Sequence, residues 1–397
     1  MNKLTVDSEK LDYCCKRVLV RVDFNVPLDE EQKITDDTRV VAALPTLRYL
    51  LEQGATPILM SHLGRPKGKV VEEMRVRPAG ERLQQLLDAP VQIATDCIGD
   101  PAREAVEACP KGGAVMLENT RFHPGEEKND PEFAEQLAAL GDVYVSDAFG
   151  SLHRAHASTV GVAERRRPAA AGFLVARELD CLGRLLAADR EGFVAILGGA
   201  KVDDKIGVVR SLLDQVETLL LGGGMTYAFL KAQGHEIGES LLKEGSLEAA
   251  QELLPAIEAG DAEVLLPEDL VIADAFDESA NTKVVAADHI PAGWMGLDIG
   301  PKTRARFADI VRGARTVFWN GPLGVFEMAP FAVGTREIGQ AMSECEGFTV
   351  IGGGDSAAAA KQMGFAESID HVSTGGGASL EFVEGQELPG VAALDDA

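Results

Sequence analysis

Apolar, β-branched runs recur along this chain with helical patterns between them, and that alternation limits the fold more than any other feature. The runs are RVLVRVDF from residue 17, TPILMSH from 56, AVMLENT from 114, VYVSDAF from 143, FVAILGG from 193, TLLLGGG from 218, EVLLPEDLVIAD from 263, TVFWNGP from 316 and FTVIGGG from 348. Each is near-continuous in hydrophobicity rather than alternating, as strands buried on both faces of a parallel sheet must be. The segments between them carry helix signals. Asp100-Pro101 and Asp130-Pro131 each offer an N-cap before a proline at the first helical position. Gly54 and Gly364 stand where helices end. Pro45 predicts a break or kink in the helix after Arg39. The fold class is therefore α/β, doubly wound with parallel sheets, and ligands are expected at the carboxyl ends of the strands.

A chain of 397 residues is long for one such sheet; roughly 150 residues per domain gives two or three. Four runs precede residue 150 and five follow residue 190, with Glu164-Arg165-Arg166-Arg167-Pro168 and a helical stretch from Val175 to Ala188 between them. We expect a domain boundary there, with residue 173 ending the first domain and 174 opening the second. The basic run also fits a solvated helix end. No stretch approaches the roughly 20 apolar residues of a membrane span. The N-terminal residues lack the basic and apolar blocks of a secretory signal. Six cysteines form no CxxC pair, which suits free thiols in a reducing, cytoplasmic setting. Adjacent Cys14 and Cys15 carry no redox signature beyond their adjacency.

Charge narrows the partners. The formal net charge is −25 and the isoelectric point about 4.7, which excludes nucleic acid as the main partner. Such an acidic surface, richer in Arg than Lys, fits a high-salt cytosol or an ordinary acidic enzyme equally. Either way the global field repels anions, so any anion site must be built locally. Two kinds of local site are visible. Gly198-Gly199-Ala200-Lys201, Gly222-Gly223-Gly224 and Gly352-Gly353-Gly354-Asp355-Ser356 each follow a strand and open a helix. Such turns bring free N–H groups and a helix dipole up to phosphate. Lys201 and Lys205, spaced i, i+4, are expected to share one helix face. In the first half, Arg39, His62, Arg65, Arg121, Arg154 and His156 lie at or past strand ends, with Asp23 and Asn25 closing the first run. Gathered at one sheet edge they would trap a phosphate and a carboxylate. Taken singly, each reads as an ordinary surface charge.

Other motifs fall short. Gly68-Lys69 is followed by Val70, so there is no Walker A loop. Gly352-x-Gly354-x-x-Ala357 matches a dinucleotide fingerprint, but no strand with a suitable acidic end follows it. His153-x-x-His156 is a weak metal signal beside arginines, and neither GxSxG nor HExxH occurs.

The set RVDFNVP, SHLGRP, ENTRFHPGEE, DAFGSLHRAHAS, LGGAKVDDK, LGGGM, DIGPKT, WNGPLGVFE and GGGDSAAA, in this order from about residue 18 to 385, resembles the phosphoglycerate kinase family. The resemblance implies two Rossmann-like domains joined by a hinge, with residues 380–397 packed back on the first. It implies 3-phosphoglycerate or 1,3-bisphosphoglycerate on that domain and Mg²⁺ with ADP or ATP on the other, in a monomer. Carried over by motif, Asp23, Asn25, Arg39, His62, Leu63, Gly64, Arg65, Arg121 and Arg154 would bind the phosphoglycerate. Lys201, Lys205, Gly223, Gly224, Gly296, Asn320, Pro322, Glu327, Gly353, Gly354, Asp355 and Ser356 would bind the nucleotide, with Asp355 near Mg²⁺. Arg39, Lys201, Lys205, Gly354 and Gly377 would serve the transfer, Gly377 in the helix start Thr374–Gly377 that approaches the substrate on closure. Ser356 replaces the family's threonine, Ser151-Leu152 its Thr-Ala, and Thr120 its leucine; no charged catalytic residue is lost.

The implied reaction needs no nucleophilic side chain. Its loose transition state spreads charge over three equatorial oxygens, so catalysis reduces to positioning and electrostatic stabilisation. A nicotinamide dehydrogenase would use only one of the three glycine turns. A catalytically silent phosphate-binding protein of the same fold would keep the anion sites without turnover.

Overall fold

The computed structural model describes residues 2–200, 202 and 205–397. Lys201 therefore lies outside the described residues. The chain divides into two compact units, Met1–Asp180 with Glu387–Ala397, and Cys181–Gln386. The divisions fall seven residues later than the 173/174 and 379/380 borders expected from sequence. One falls inside the helix Phe173–Leu186. At the other, the helix Gly377–Val383 stays with the second unit, where Ser211 Oγ donates to the Val383 carbonyl at 3.0 Å.

In the first unit, β1 (Arg17–Val22), β2 (Thr56–Met60), β3 (Val91–Ile93), β4 (Ala114–Met116), β5 (Val143–Asp147) and β6 (Ala169–Ala171) form one sheet in the order β3-β4-β2-β1-β5-β6. Every pairing is parallel. Strand order reverses between β1 and β5, which puts a crevice at their carboxyl ends. The helix Thr38–Glu52 buries Val40, Ala43, Leu44, Leu47 and Leu50, one stripe at helical spacing. That stripe packs on Val18, Val20, Val22 and Leu59 of the sheet. The helix runs on through Pro45 rather than breaking there. Proline removes the donor for the Val41 carbonyl, but Val41 is 43% exposed, so water can satisfy it. The helix near Asp100 spans Gly99–Glu107. Gly99, with φ of +71°, makes the turn, and Asp100 pairs with Arg103 instead of capping. Asp130 does cap its helix, accepting from the Phe133 N–H at 2.9 Å.

The C-terminal segment is stitched to this unit. Leu4 N donates to the Asp395 carbonyl and Asp395 N to that of Ala169. The basic run between the halves is spent locally: Arg166 Nε donates to the Gly141 carbonyl at 2.9 Å, and Arg167 pairs with Asp395.

The second unit holds β7 (Phe193–Leu197), β8 (Thr218–Leu221), β9 (Glu263–Leu265), β10 (Asp269–Ala273), β11 (Thr282–Ala286), β12 (Met295–Ile299), β13 (Thr316–Asn320), β14 (Phe348–Gly352) and β15 (His371–Val372). Six of these form a parallel sheet in the order β15-β14-β13-β7-β8-β9. Its order reverses between β7 and β13. The other three form an antiparallel sheet, β11-β10-β12. The run EVLLPEDLVIAD is thus two strands in two sheets, parted at Pro267-Glu268 because proline cannot donate to a ladder. Among the described residues no helix is long and apolar enough to cross a membrane.

Candidate functional site

The first crevice is built from the residues that follow β1, β2, β4 and β5. Arg39, in the first turn of the helix Thr38–Glu52, donates from one terminal nitrogen to both Asp23 oxygens at 2.9 Å. Burial pushes the Asp23 pKa up, but the Arg39 and Arg21 charges beside it win, and the carboxyl sits below its usual range. Asp23 also accepts from Asn25 N at 3.1 Å. The Gly64 peptide is gripped on both sides. Its N–H donates to Asn25 Oδ1 at 2.8 Å, and its carbonyl accepts from Arg121 at 3.0 Å. Its φ is +65°, and a Cβ there would lie 2.8 Å from Met74 Sδ, so only glycine fits this joint. Leu63 is buried, with its carbonyl held by Asn119 Nδ2 at 2.7 Å. Arg65 and Arg154 are exposed.

Arg21 was not singled out from the sequence, yet it organises this crevice. It is fully buried in β1. Its Nε donates to Ser158 Oγ at 2.8 Å and a terminal nitrogen to His62 Nδ1 at 3.0 Å. Ser158 in turn donates through Oγ and N to buried Glu126, at 2.5 and 3.0 Å. A buried guanidinium is costly without such partners. The signal was a lone arginine inside the apolar run RVLVRV. Because arginine cannot accept a hydrogen bond, His62 Nδ1 is the acceptor and Nε2 carries the proton. Burial and then the Arg21 charge hold the His62 pKa well below the usual value. His156 is lowered to about 4 by burial and by Arg121, Arg21 and Arg154, and burial lowers His153. The arginines carry the positive charge here, and these histidines are neutral near pH 7. Arg154 Nε donates to His153 Nε2 at 3.0 Å, which puts a cation where the HxxH reading wanted a metal.

The second crevice is built mostly from backbone. Gly198 N donates to the Asn320 carbonyl, Gly199 N to that of Pro322 and Met225 N to that of Gly199. These bonds tie the ends of β7, β8 and β13 together. Lys205 Nζ donates to the Gly198 carbonyl at 2.5 Å and to that of Asn320 at 3.3 Å, at the reversal point. Lys205 is the residue before the helix Ile206–Gln215; Lys201, with which it was expected to share a helix face, lies outside the described residues. Asn320 Nδ2 donates to the Gly352 carbonyl at 2.9 Å, and Ser356 Oγ accepts from Gly321 N at 2.6 Å. Asn320 and Ser356 are buried, whereas Gly354, Asp355 and Glu327 are exposed. Gly296 is buried in β12 of the antiparallel sheet, against Tyr227, and β12 packs on the turn Gly223–Met225. Gly223 (φ +64°) is packed: a Cβ there would lie 2.6 Å from the Pro322 carbonyl. Among the described residues, a Cβ on Gly354 or Gly377 would meet nothing within 4 Å, so packing against them does not account for those two.

The two doubly wound units thus end differently, one in arginines and the other in glycine turns at a helix start. The phosphoglycerate kinase family model matches residues 8–386. The chain is 55% identical over 396 residues to a phosphoglycerate kinase of Herpetosiphon aurantiacus and 56% identical over 396 residues to one of Moorella thermoacetica, covering all of both. Among solved structures it is similar to the phosphoglycerate kinase of Coxiella burnetii, with a TM-score of 0.87, 38% identity and 98% of each chain covered. It is similar also to that of Pyrococcus horikoshii OT3, with 0.86, 32% and again 98% of each. The chain belongs to the phosphoglycerate kinase family, phosphotransferases with a carboxyl group as acceptor.

Proposed function

We propose that the first unit binds 3-phosphoglycerate or 1,3-bisphosphoglycerate at the Asp23–Arg39–His62–Arg121 crevice. The second binds ADP or ATP at the glycine turns, and the phosphoryl group passes reversibly between the acyl carboxylate and the nucleotide. The observation that carries this reading is the gathering of arginines and neutral histidines at one sheet edge of a chain with net charge −25. Arg39, Arg65, Arg121 and Arg154 supply fixed donors for phosphate and carboxylate. Asp23 shares Arg39 and orients it. His62 offers Nε2–H as a neutral donor, so it adds a hydrogen bond without another charge.

On the nucleotide side, Lys205 is held by two carbonyls and brings its ammonium to the reversal point of the sheet. Gly353 and Gly354 open the helix Gly354–Met363 and turn its free N–H groups toward a phosphate. Asp355 is an exposed carboxylate in the first turn of that helix. One oxygen ligand of this kind fits Mg²⁺ held mainly by nucleotide phosphates. When bound, Mg²⁺ neutralises charge on the phosphate oxygens. The arginines of one unit and the glycine turns of the other must then act on one phosphoryl group. We infer a hinged closure that also keeps water from the acyl phosphate. Identical small-angle scattering with and without both substrates would refute closure.

The reading also places the protein in the cytoplasm as a monomer. Six free thiols support the reducing compartment. The deciding experiment is ADP formation from Mg·ATP by the purified chain. Turnover that requires both 3-phosphoglycerate and Mg²⁺ is expected. A folded protein with no turnover across a range of salt overturns the reading.

A further inference from the structure

Outside the crevices, three metal-ligating side chains of different chemistry converge in the first unit. Asp96 and Cys97 lie between β3 and the helix Gly99–Glu107, and His123 follows the short turn Thr120–Phe122. One carboxylate oxygen of Asp96, the Cys97 Sγ and one ring nitrogen of His123 all lie within 4.8 Å of one another. His123 Nε2 and Asp96 Oδ1 are 2.7 Å apart. The His123 ring stacks on Phe133 with centroids 5.2 Å apart, which fixes its plane. Cys97 is buried, while the His123 and Asp96 side chains remain 28% and 40% exposed. An ion can thus enter from solvent on the carboxylate and imidazole side and meet the thiol behind them.

We propose that Asp96, Cys97 and His123 form a binding site for a divalent ion of the zinc class, with water as the fourth ligand. The donor set is one sulfur, one imidazole nitrogen and one carboxylate oxygen. Magnesium and calcium prefer all-oxygen shells, whereas this mixture selects Zn²⁺ or its spectroscopic substitute Co²⁺. Binding balances simply. The thiol gives up its proton to solvent and forms the metal–sulfur bond. The His123 proton that bridges to Asp96 moves to Nδ1, freeing Nε2 as a ligand. Asp96 enters as its carboxylate, which also accepts from the Cys97 N–H at 2.6 Å. No oxidant or reductant is involved. The ion would tie the segment before the helix Gly99–Glu107 to the loop that carries Arg121, so the site touches the crevice wall without entering it.

The test is titration of the full chain with Co²⁺ in a Cys14→Ser/Cys15→Ser background, because those two exposed thiols lie only 3.6 Å apart and could bind on their own. One equivalent of Co²⁺ should give tetrahedral visible bands and a thiolate-to-metal band in the near ultraviolet. Both should vanish in Cys97→Ala. His123→Gln keeps a donor toward Asp96 and so protects the fold; it should weaken binding at least 10-fold, the scale of losing a ligand or its support. A second readout is the melting temperature, which should rise with equimolar Zn²⁺ and return on chelation. No thiolate band at millimolar Co²⁺, or bands that persist in Cys97→Ala, would overturn the proposal.

Discussion

On the reading proposed above, the first unit meets an anion with side chains, and the second meets one with backbone. In the first, Arg39, Arg121 and buried Arg21 face the ends of β1, β2 and β4, and neighbouring histidines are held neutral. In the second, peptide groups at the ends of β7, β8 and β13 are bonded to one another, with Lys205 as the cation tied across them. Two parallel sheets of different strand order thus support two ways of overcoming a repulsive global charge. Guanidinium groups match a small ligand with a phosphate and a carboxylate at fixed separation. Backbone N–H groups suit a larger ligand whose phosphates must be approached closely. A charge-built site should fail when one cation goes, and a backbone-built site when its main chain is displaced.

The largest effect should come from removing one preorganised cation on each side. Arg39→Ala and Lys205→Ala should each cut kcat by on the order of 10²-fold, the scale of losing one preorganised donor, with the protein still folded by circular dichroism. A folded Lys205→Ala with near-normal turnover would show that the second unit does not need this lysine, and would sharpen the contrast at its expense. Next is Gly223→Ala. It forces a side chain into positive φ and against the Pro322 carbonyl, at a cost of about 1–3 kcal/mol. Urea unfolding followed by Trp emission should register it, since Trp294 and Trp319 both lie in the second unit. An unchanged midpoint would mean that the interlocked turns are softer than their hydrogen bonds suggest.

Titration separates the units in another way. In the first, His156 has a pKa of about 4, and His62 and His153 are also lowered. Unfolded histidine titrates near 6.5, so below that pH the unfolded chain binds more protons and stability falls with pH. Asp147, raised by burial to about 7, works the opposite way, but three histidines outweigh one carboxyl. In the second unit Asp298, which accepts from Gly334 N at 2.7 Å, is raised by burial to about 7. Its folded form holds a proton that the unfolded form has lost, so its contribution grows as pH falls from 7 toward 4. Each unbalanced proton changes stability by about 1.4 kcal/mol per pH unit. Urea curves from Trp emission and from far-ultraviolet circular dichroism should diverge between pH 6.5 and 4.5, with the Trp-bearing unit the more resistant. Curves that coincide at every pH would break this part of the comparison.

The sequence made the charge-built site easier to read than its support. Arg39, Arg121 and the run Ser61–Arg65 stand next to strand ends that buried parallel strands mark clearly. Arg21 sits inside such a strand, where an apolar pattern hides it; only the tertiary partners Ser158, His62 and Glu126 explain its burial. Short edge strands left too little pattern to find, as with Val91–Ile93, Ala169–Ala171 and His371–Val372. The antiparallel sheet was invisible for a different reason. Its outer strand, Thr282–Ala286, is mostly exposed, so it lacks the continuous apolar run that gave the others away. The glycine turns were legible as turns, but which glycines serve packing and which leave room was not. That depends on what would meet a Cβ, which is a property of the neighbours.

The smallest predicted effect follows from that last distinction and tests it most finely. Gly354 opens its helix at ordinary φ, and among the described residues an added Cβ meets no atom within 4 Å. Gly354→Ala should leave stability within about 0.5 kcal/mol of the parent, as a surface change does. If the glycine exists so that a phosphate can approach the backbone, the methyl group intrudes on the nucleotide and not on the protein. The KM for ATP should then rise several-fold while that for 3-phosphoglycerate stays near the parent value. Equal rises in both constants would indicate a general distortion. No rise in either would mean that the open space around Gly354 is not where the nucleotide phosphates lie, and that the backbone-built site is centred instead on the packed turns at β7 and β8.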